Sequence, residues 1–410
     1  MRETDAGAGA GAGRLDADVV VCGAGMAGLS LAVHLLALDG TPDALPGGAR
    51  VVLVEPRTHY VHDRTWCFFD VVPHPFGQAV AHAWPRWRVR EGGRSVDRAA
   101  PGVRYVHVPG ARFYEAALSR LREAGPRIEL RLGTAVHDVV DRGAFVEVHT
   151  SAGTLRAALC MDGRPPSLSG AADDGRVRLL QHFGGRVVRA SRDAFEPDVA
   201  TLMDFDVDRS RGLAFVYVLP FSRREALVES TYFSARTLPP EVYRDDVTAY
   251  LRARYRDCID FDIVSEESGV IPMWDARFEL QPSPRVTRLG LAGGLAKPST
   301  GYAFLAVQRW SAAFAPMISR SIRSRRPAVA PPVRPAHTAA IDAVFLGFLA
   351  STPEQAPATF YRLFERVPAD VLVRFLSETS RPHEDVRVMA ATRWARMIPE
   401  TLRTARRLLR

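Results

Sequence analysis

The spacing of apolar residues divides the chain into stretches of different period. Residues 19–22 form an unbroken apolar run behind Asp16 and Asp18, and from Leu29 to Leu38 apolar positions recur at helical spacing. Between the two lie Gly23, Gly25 and Gly28, so the local order is strand, glycine turn, helix. A loop rich in Pro, Gly and Asp over 39–48 then leads to a second apolar run, 51–54, which ends at Glu55. This acid stands about as far beyond the glycines as a dinucleotide-binding βαβ unit requires. In such a unit Gly23 permits the tight turn, Gly25 lets a pyrophosphate approach the backbone at the helix start beside Met26 and Ala27, and Gly28 allows close packing of helix on strand. Glu55 would accept hydrogen bonds from a ribose. A glycine turn in an unrelated α/β protein is the plain alternative.

Further along, 112–123 has the pattern of an amphipathic helix, and 128–132 and 144–150 read as strands. Residues 157–161 look like a buried strand closing on Asp162 and Gly163. Between about 184 and 287 the period becomes that of strands, with 212–221 and 226–233 as a hairpin around Ser222, Arg223, Arg224 and Glu225. A second glycine-rich passage follows: 289–292 runs through Gly293, Gly294, Lys297, Pro298, Thr300 and Gly301 into an apolar helical pattern that continues through Phe314. Residues 323–337, with Pro327, Pro331, Pro332 and Pro335, read as a linker, and the remainder as helical.

A chain of 410 residues exceeds what one hydrophobic core usually serves, so two packed domains are expected. No apolar run approaches the roughly 18 to 20 residues of a membrane-spanning helix. The net charge of +8 is carried almost wholly by arginine, since Lys297 is the sole lysine. That balance suits nucleic acid or an anionic membrane surface, and the lack of a nucleic-acid motif favours the membrane. The cysteines Cys22, Cys67, Cys160 and Cys258 are too widely spaced for a disulfide framework or a zinc site, which fits a reducing cytosol. The Ala/Gly alternation up to Gly13 reads as a flexible extension over 1–15.

The glycine fingerprint, the Asp162-Gly163 turn and the late Pro298-x-x-Gly301 pattern together resemble the FAD-binding scaffold of the flavoprotein hydroxylase superfamily. Where hydroxylases carry a Gly-Asp pair, this chain has Gly293-Gly294. Residues 62–70, Met203-Asp204, 215–221, 227–231 and 297–302 are more specifically similar to the successive motifs of bacterial lycopene cyclases, as are 360–364 and 371–375. The resemblance spans Asp16 to Met397. It implies an α/β fold in which 16–180 and 288–322 form a Rossmann-type FAD-binding domain, 181–287 a β-rich substrate domain and 323–410 a helical C-terminal segment. The implied cofactor set is Gly23, Gly25, Met26, Ala27, Gly28, Glu55, Asp162, Gly163, Gly293, Gly294, Lys297, Pro298, Thr300 and Gly301. The implied reaction is a non-redox cyclisation of a linear carotenoid end group with FAD in its reduced form and NADPH as external reductant. A flavin-dependent monooxygenase or reductase acting on a hydrophobic substrate is the alternative on the same scaffold.

The resemblance carries the acid of that reaction over to Glu229, followed by Ser230 where the family commonly has Asp. The residues permit this assignment. An alkene is a very weak base, so protonating it needs a neutral carboxylic acid held away from water. On a strand, Leu227, Glu229 and Thr231 share one face, and an exposed edge glutamate is the plain alternative. Trp66, Phe68, Phe215, Tyr217 and Tyr232 are candidates to surround the polyene and its cation, and would otherwise be ordinary core. Asp204 is a second acid or a structural partner, and Lys297 a cofactor-edge residue or a solvated charge. Apolar Ala395, Met397, Ile398, Leu402, Leu408 and Leu409 interleave with Arg396, Arg403, Arg406 and Arg407, as in a helix that lies on a membrane surface, or one packed on its own protein. A protein peripherally attached to the cytoplasmic face of the membrane is expected.

Overall fold

The computed structural model describes residues 14–61, 63–165, 176–255, 260–276, 278–392, Met397 and Thr401. His62, Cys258, most of the 1–15 extension and the tail residues Ala395, Arg396, Ile398, Leu402, Arg403, Arg406, Arg407, Leu408 and Leu409 lie outside the described residues.

The first apolar run becomes the strand Ala17–Cys22, which pairs in parallel with Val51–Val54 on one side and Gly153–Asp162 on the other. Ile128–Arg131 and Val286–Arg288 extend this sheet in parallel, and Val146–Thr150 and Val136–Asp141 close its far side antiparallel. The central strands are apolar throughout because both faces are covered. The helix Met26–Leu36 buries Leu29, Leu31, Ala32, Val33 and Leu35 on one of them, in one core with Phe113 and with Phe304, Trp310 and Phe314 of the helix Phe304–Ser324.

The second sheet has the order Phe261–Trp274, Arg178–Ala190, Glu225–Ser234, Leu213–Pro220, Val199–Asp204, Arg86–Glu91, Arg94–Arg98. The hairpin strands Glu225–Ser234 and Leu213–Pro220 alternate in facing. Leu213, Phe215, Leu227 and Phe233 face a core shared with C-terminal helices, including Leu346, Phe348 and Phe360, while Val216, Val218, Val228 and Ala226 face the helix Pro240–Arg254. A small antiparallel sheet consists of Thr65–Phe69, Tyr105–Pro109 and His82–Trp84.

Residues 16–180 contribute strands to more than one sheet: Arg86–Glu91 pairs with Val199–Asp204 more than a hundred residues later, and no local pattern announces such a pairing. The β-rich stretch 181–287 also contains the helix Pro240–Arg254, whose buried Tyr243, Val247, Tyr250 and Leu251 recur at helical spacing behind a proline start. The second glycine passage is preceded by only a short strand, Val286–Arg288, and its helix begins at Phe304, after the glycines and prolines. The helical reading of the C-terminal part agrees with helices Ala336–Ser351, Ala356–Arg366, Ala369–Leu376 and Pro382–Ala391. Among the described residues no helix is long and apolar enough to cross a membrane.

Candidate active site

A cavity of about 800 Å³ runs from the glycine turn to the second sheet. At its first end Gly23 has φ +91°, and a Cβ on Gly28 would lie 2.1 Å from the Gly23 carbonyl oxygen, so both positions require glycine. The helix that follows starts at Gly25 with no side-chain cap and no acid in its first turn, which leaves backbone N–H groups and the positive end of the helix dipole towards the cavity. Glu55 is buried at the end of its strand, where it accepts the Ala24 N–H at 2.7 Å and Arg57 Nε at 2.8 Å. Arg57, Arg64 and Arg164 line this end. Gly163 packs directly on the turn, its N–H donating to the Cys22 carbonyl at 2.8 Å. An open helix N-terminus and guanidinium groups are donors suited to the phosphates of a dinucleotide, and a buried acid at the strand end is an acceptor suited to its ribose. Farther in, Gln181 Oε1 is buried without a hydrogen-bond partner beside Gly301, an acceptor available to a polar ring edge.

At the other end, one row of residues crosses four strands of the second sheet: Tyr217, Glu229, Gly185 and Glu267 stand in register on the cavity face. Glu229 is buried, and Thr231 Oγ1 donates to its Oε1 at 3.0 Å. Burial, and then the nearby Glu267 carboxyl, hold the Glu229 carboxyl well above the usual carboxylate range, against the opposing effect of the Thr231 hydroxyl. Thr65 Oγ1, from the small sheet, donates to Glu267 Oε2 at 2.8 Å. Cys67 on the same small strand has its thiol pushed up by burial and by Glu267 and Glu229. Burial pushes up the Tyr217 and Tyr302 phenols, so these two hydroxyls stay uncharged at neutral pH. Trp66 and Phe68 line the cavity, Phe68 stacked on Phe304 with centroids 4.4 Å apart.

The structure brings Gly23, Gly25, Met26, Ala27, Gly28, Glu55, Gly163, Lys297, Thr300 and Gly301 to the cavity together with Glu229, Trp66, Phe68 and Tyr217. Other expected site residues stand elsewhere. Asp204 projects from the opposite face of the sheet, where it accepts Tyr250 Oη at 2.8 Å and the Asp206 N–H at 3.1 Å; its strand position has the other parity from Glu229. Tyr232, one step out of phase with Glu229, is on that opposite face too, stacked on His182 and donating to Asp246 at 2.7 Å. Phe215 lines a separate apolar cavity of about 240 Å³ beneath the C-terminal helices, which shares Tyr217, Thr300 and Tyr302 with the larger one. Gly293 and Gly294 pack against the Arg288 carbonyl and Phe278, and the cavity is lined there by Gly290, Leu291 and Ala292. Asp162 is turned to Arg164, and neither it nor Pro298 reaches the cavity wall. Lys297 is no solvated charge: its ammonium lies 2.5 Å from Asp342 Oδ1 and 5.1 Å from the Phe375 ring centroid, wholly buried. Glu267 and Gly185 were not foreseen, since neither belongs to a recognisable motif and only strand register puts them beside Glu229.

The model of the lycopene cyclase protein family matches residues 18–401. The chain belongs to this family. Lycopene beta-cyclase of Pantoea ananas is 28% identical to this cyclase-family chain over 296 residues, 70% of either protein. Lycopene beta-cyclase of Pseudescherichia vulneris is 29% identical over 261 residues, 62% of this chain and 63% of that protein. Among solved structures, a geranylgeranyl bacteriochlorophyll reductase-like protein from Thermoplasma acidophilum superposes with a TM-score of 0.58 at 13% identity, covering 94% of this chain and 98% of the other. HpxO of Klebsiella pneumoniae, complexed with FAD, superposes with a TM-score of 0.59 at 15% identity over 88% of this chain and 97% of that one. At such identities the likeness is one of fold alone, a mixed α/β scaffold with helices at the C-terminus.

Proposed function

We propose that this cyclase-family protein closes a ring at the end of a linear carotenoid-type isoprenoid, by protonation and without net redox change, while holding reduced FAD. The observation that carries the reading is Glu229: a carboxyl kept neutral by burial, in the same cavity as a dinucleotide-type glycine turn. The turn from Gly23 to Gly28 with Arg64 and Arg164 would hold the phosphates, Glu55 the ribose, and Gln181, Thr300 and Gly301 the ring end. Bound reduced flavin supplies an electron-rich surface that stabilises a nearby carbocation.

The chain's own residues account for the rest. Glu229 delivers its proton to the terminal double bond, and the Thr231 hydroxyl holds the carboxyl in place as it does so. The aromatic faces of Trp66, Phe68 and Tyr217 exclude water and meet the developing cation, each worth roughly 0.5 to 2 kcal/mol when desolvated. NADPH serves as the external reductant, needed only to keep the flavin reduced. An aliphatic substrate of this kind resides in a bilayer, so the protein works docked on a membrane surface, and the exposed Val270 at the cavity wall suits that contact.

Anaerobic incubation of dithionite-reduced protein with lycopene tests the reading: the product keeps the substrate's mass and changes its retention time. A second reading, a flavin-dependent reductase or monooxygenase acting on a hydrophobic substrate, is favoured by the fold shared with the reductase-like protein and HpxO. It requires NADPH consumed in proportion to product and a product of altered mass.

A further inference from the structure

We infer that the smaller cavity beneath the C-terminal helices is a second substrate subsite, which takes the apolar chain of the same isoprenoid whose end meets Glu229; this rests on the cyclase reading above.

The cavity measures about 240 Å³. Phe215 and Phe233 face it from the second sheet, and Phe345, Phe360, Phe364 and Phe375 from three of the C-terminal helices. On the helix Ala336–Ser351 two i, i+4 pairs line it, Ala340 with Val344 and Ile341 with Phe345, and all four side chains stay half-buried. Leu346, Phe348 and Leu349 of the same helix are fully packed, so the four look onto space the protein leaves unfilled. Unfilled apolar volume weakens a fold in proportion to its size, and such space stays dry. An occupant that brings apolar surface recovers the lost packing.

The polar groups at the wall narrow the choice of occupant. Asp342 Oδ1 accepts from Lys297 Nζ at 2.5 Å and from Ser299 Oγ at 2.6 Å, so the one cation close by is already paired. Asp342 Oδ2 is buried and has no hydrogen-bond partner among the described residues. A carboxylate or phosphate brought into this space would meet that oxygen and find no free positive charge, which disfavours a fatty acid and suits an uncharged chain.

Continuity with the larger cavity makes the occupant part of the reacting molecule. The two spaces share Tyr217, Thr300, Tyr302 and Leu376. A row of rings leads from one to the other: the Phe233 and Phe215 centroids are 5.3 Å apart, those of Phe215 and Tyr217 are 5.3 Å apart, and Tyr217 stands in register with Glu229. The opposite end of the larger cavity carries the glycine turn with Arg57, Arg64 and Arg164, which suits phosphates and not a hydrocarbon. A chain with its end at Glu229 therefore runs past Tyr217 and Tyr302 into the aromatic space. A conjugated chain is stiff, so holding it there fixes where its terminal double bond stands relative to the Glu229 carboxyl, and such orientation lowers the barrier to proton transfer.

The test uses flavin-loaded full-length protein with Val344→Phe and, one turn earlier on the same helix, Ala340→Leu, each checked by circular dichroism, flavin absorbance and thermal unfolding. Both substitutions fill the cavity. The first readout needs no ring closure: diphenylhexatriene, a rigid linear conjugated hydrocarbon that fluoresces in apolar surroundings, is titrated with protein and then displaced with lycopene. Wild type binds the probe and lycopene displaces it, and each filled variant binds it about 10- to 100-fold more weakly. In lycopene turnover both variants raise KM by a similar factor with a smaller change in kcat. Their melting temperatures stay close to wild type, and where one variant melts early the other carries the comparison. Probe binding and KM unchanged in the filled variants overturn the subsite. Displacement of the probe by oleate and not by lycopene overturns it in favour of a lipid acyl chain. If wild type forms no ring, the cyclase reading falls, while displacement by lycopene and its loss in the filled variants still decide whether the cavity takes a polyene.

Discussion

Glu229 and Ser230 are neighbours in the chain and face opposite sides of the second sheet. On the cavity side Glu229 meets a second carboxyl, a threonine hydroxyl and aromatic rings. On the helix side Ser230 and Tyr232 donate to Asp246, Tyr250 donates to Asp204, and His182 lies between Tyr243 and Ser234. Both faces hold acids, and they differ in what stands beside each: on the helix face Asp246 and Asp204 accept from tyrosine hydroxyls, whereas Glu229 has a second carboxyl nearby as well as its threonine hydroxyl. Burial beside another carboxyl favours the protonated form, and donated hydrogen bonds favour the charged one. Ser230 falls on the helix side, where its hydroxyl donates to Asp246 at 3.0 Å.

The comparison breaks most sharply at Glu229. Glu229→Gln is expected to reduce ring formation by about 10²- to 10⁴-fold in kcat with flavin absorbance unchanged. Near-normal turnover of that variant would place the acid elsewhere. The glycines give the next contrast. Gly184→Ala should cost about 1 to 3 kcal/mol in urea unfolding by driving a methyl into Tyr243, whereas Gly185→Ala should reduce turnover more than it reduces stability. Asp204→Asn should lower stability by about 1 to 3 kcal/mol with kcat within a few-fold of wild type, and a large fall in kcat at intact stability would return Asp204 to the site. Tyr232→Phe removes one hydrogen bond to Asp246, an effect of about 1 kcal/mol in thermal unfolding, and leaves activity in place.

The two faces should also respond to pH with opposite sign. Burial pushes His182 down to about 4, below the ordinary 6.5, so its share of stability is present above that ordinary value and lost as pH falls through about 4. Glu229 is raised, so its share is present below the ordinary 4.5 and lost as pH rises through its elevated value. Urea unfolding across pH, with Glu229→Gln removing only the alkaline component, separates the two contributions.

Much of the glycine-turn end of the cavity was legible because its constraints are local: Gly23, Gly25 and Gly28 belong to a single turn, Glu55 terminates the next strand, and all four line the cavity. Glu229 was legible through its motif and strand parity. The same parity, applied to Tyr232 and Asp204, would have set them on the other face, but the register of 199–204 against the hairpin was not available from spacing alone. Gly293 and Gly294 were misplaced because a glycine pair marks a turn without saying which side of it faces a ligand.

The amino-acid sequence by itself determined the βα turn, the alternation of the hairpin and the helical C-terminal part, since each depends on contacts within a few residues of chain. Tertiary structure alone decided that Glu267 stands beside Glu229, that strand 86–91 joins the second sheet and that Lys297 is buried against Asp342. Those pairings link positions tens to hundreds of residues apart. Their energy comes from burial and strand register, which only the assembled sheets define.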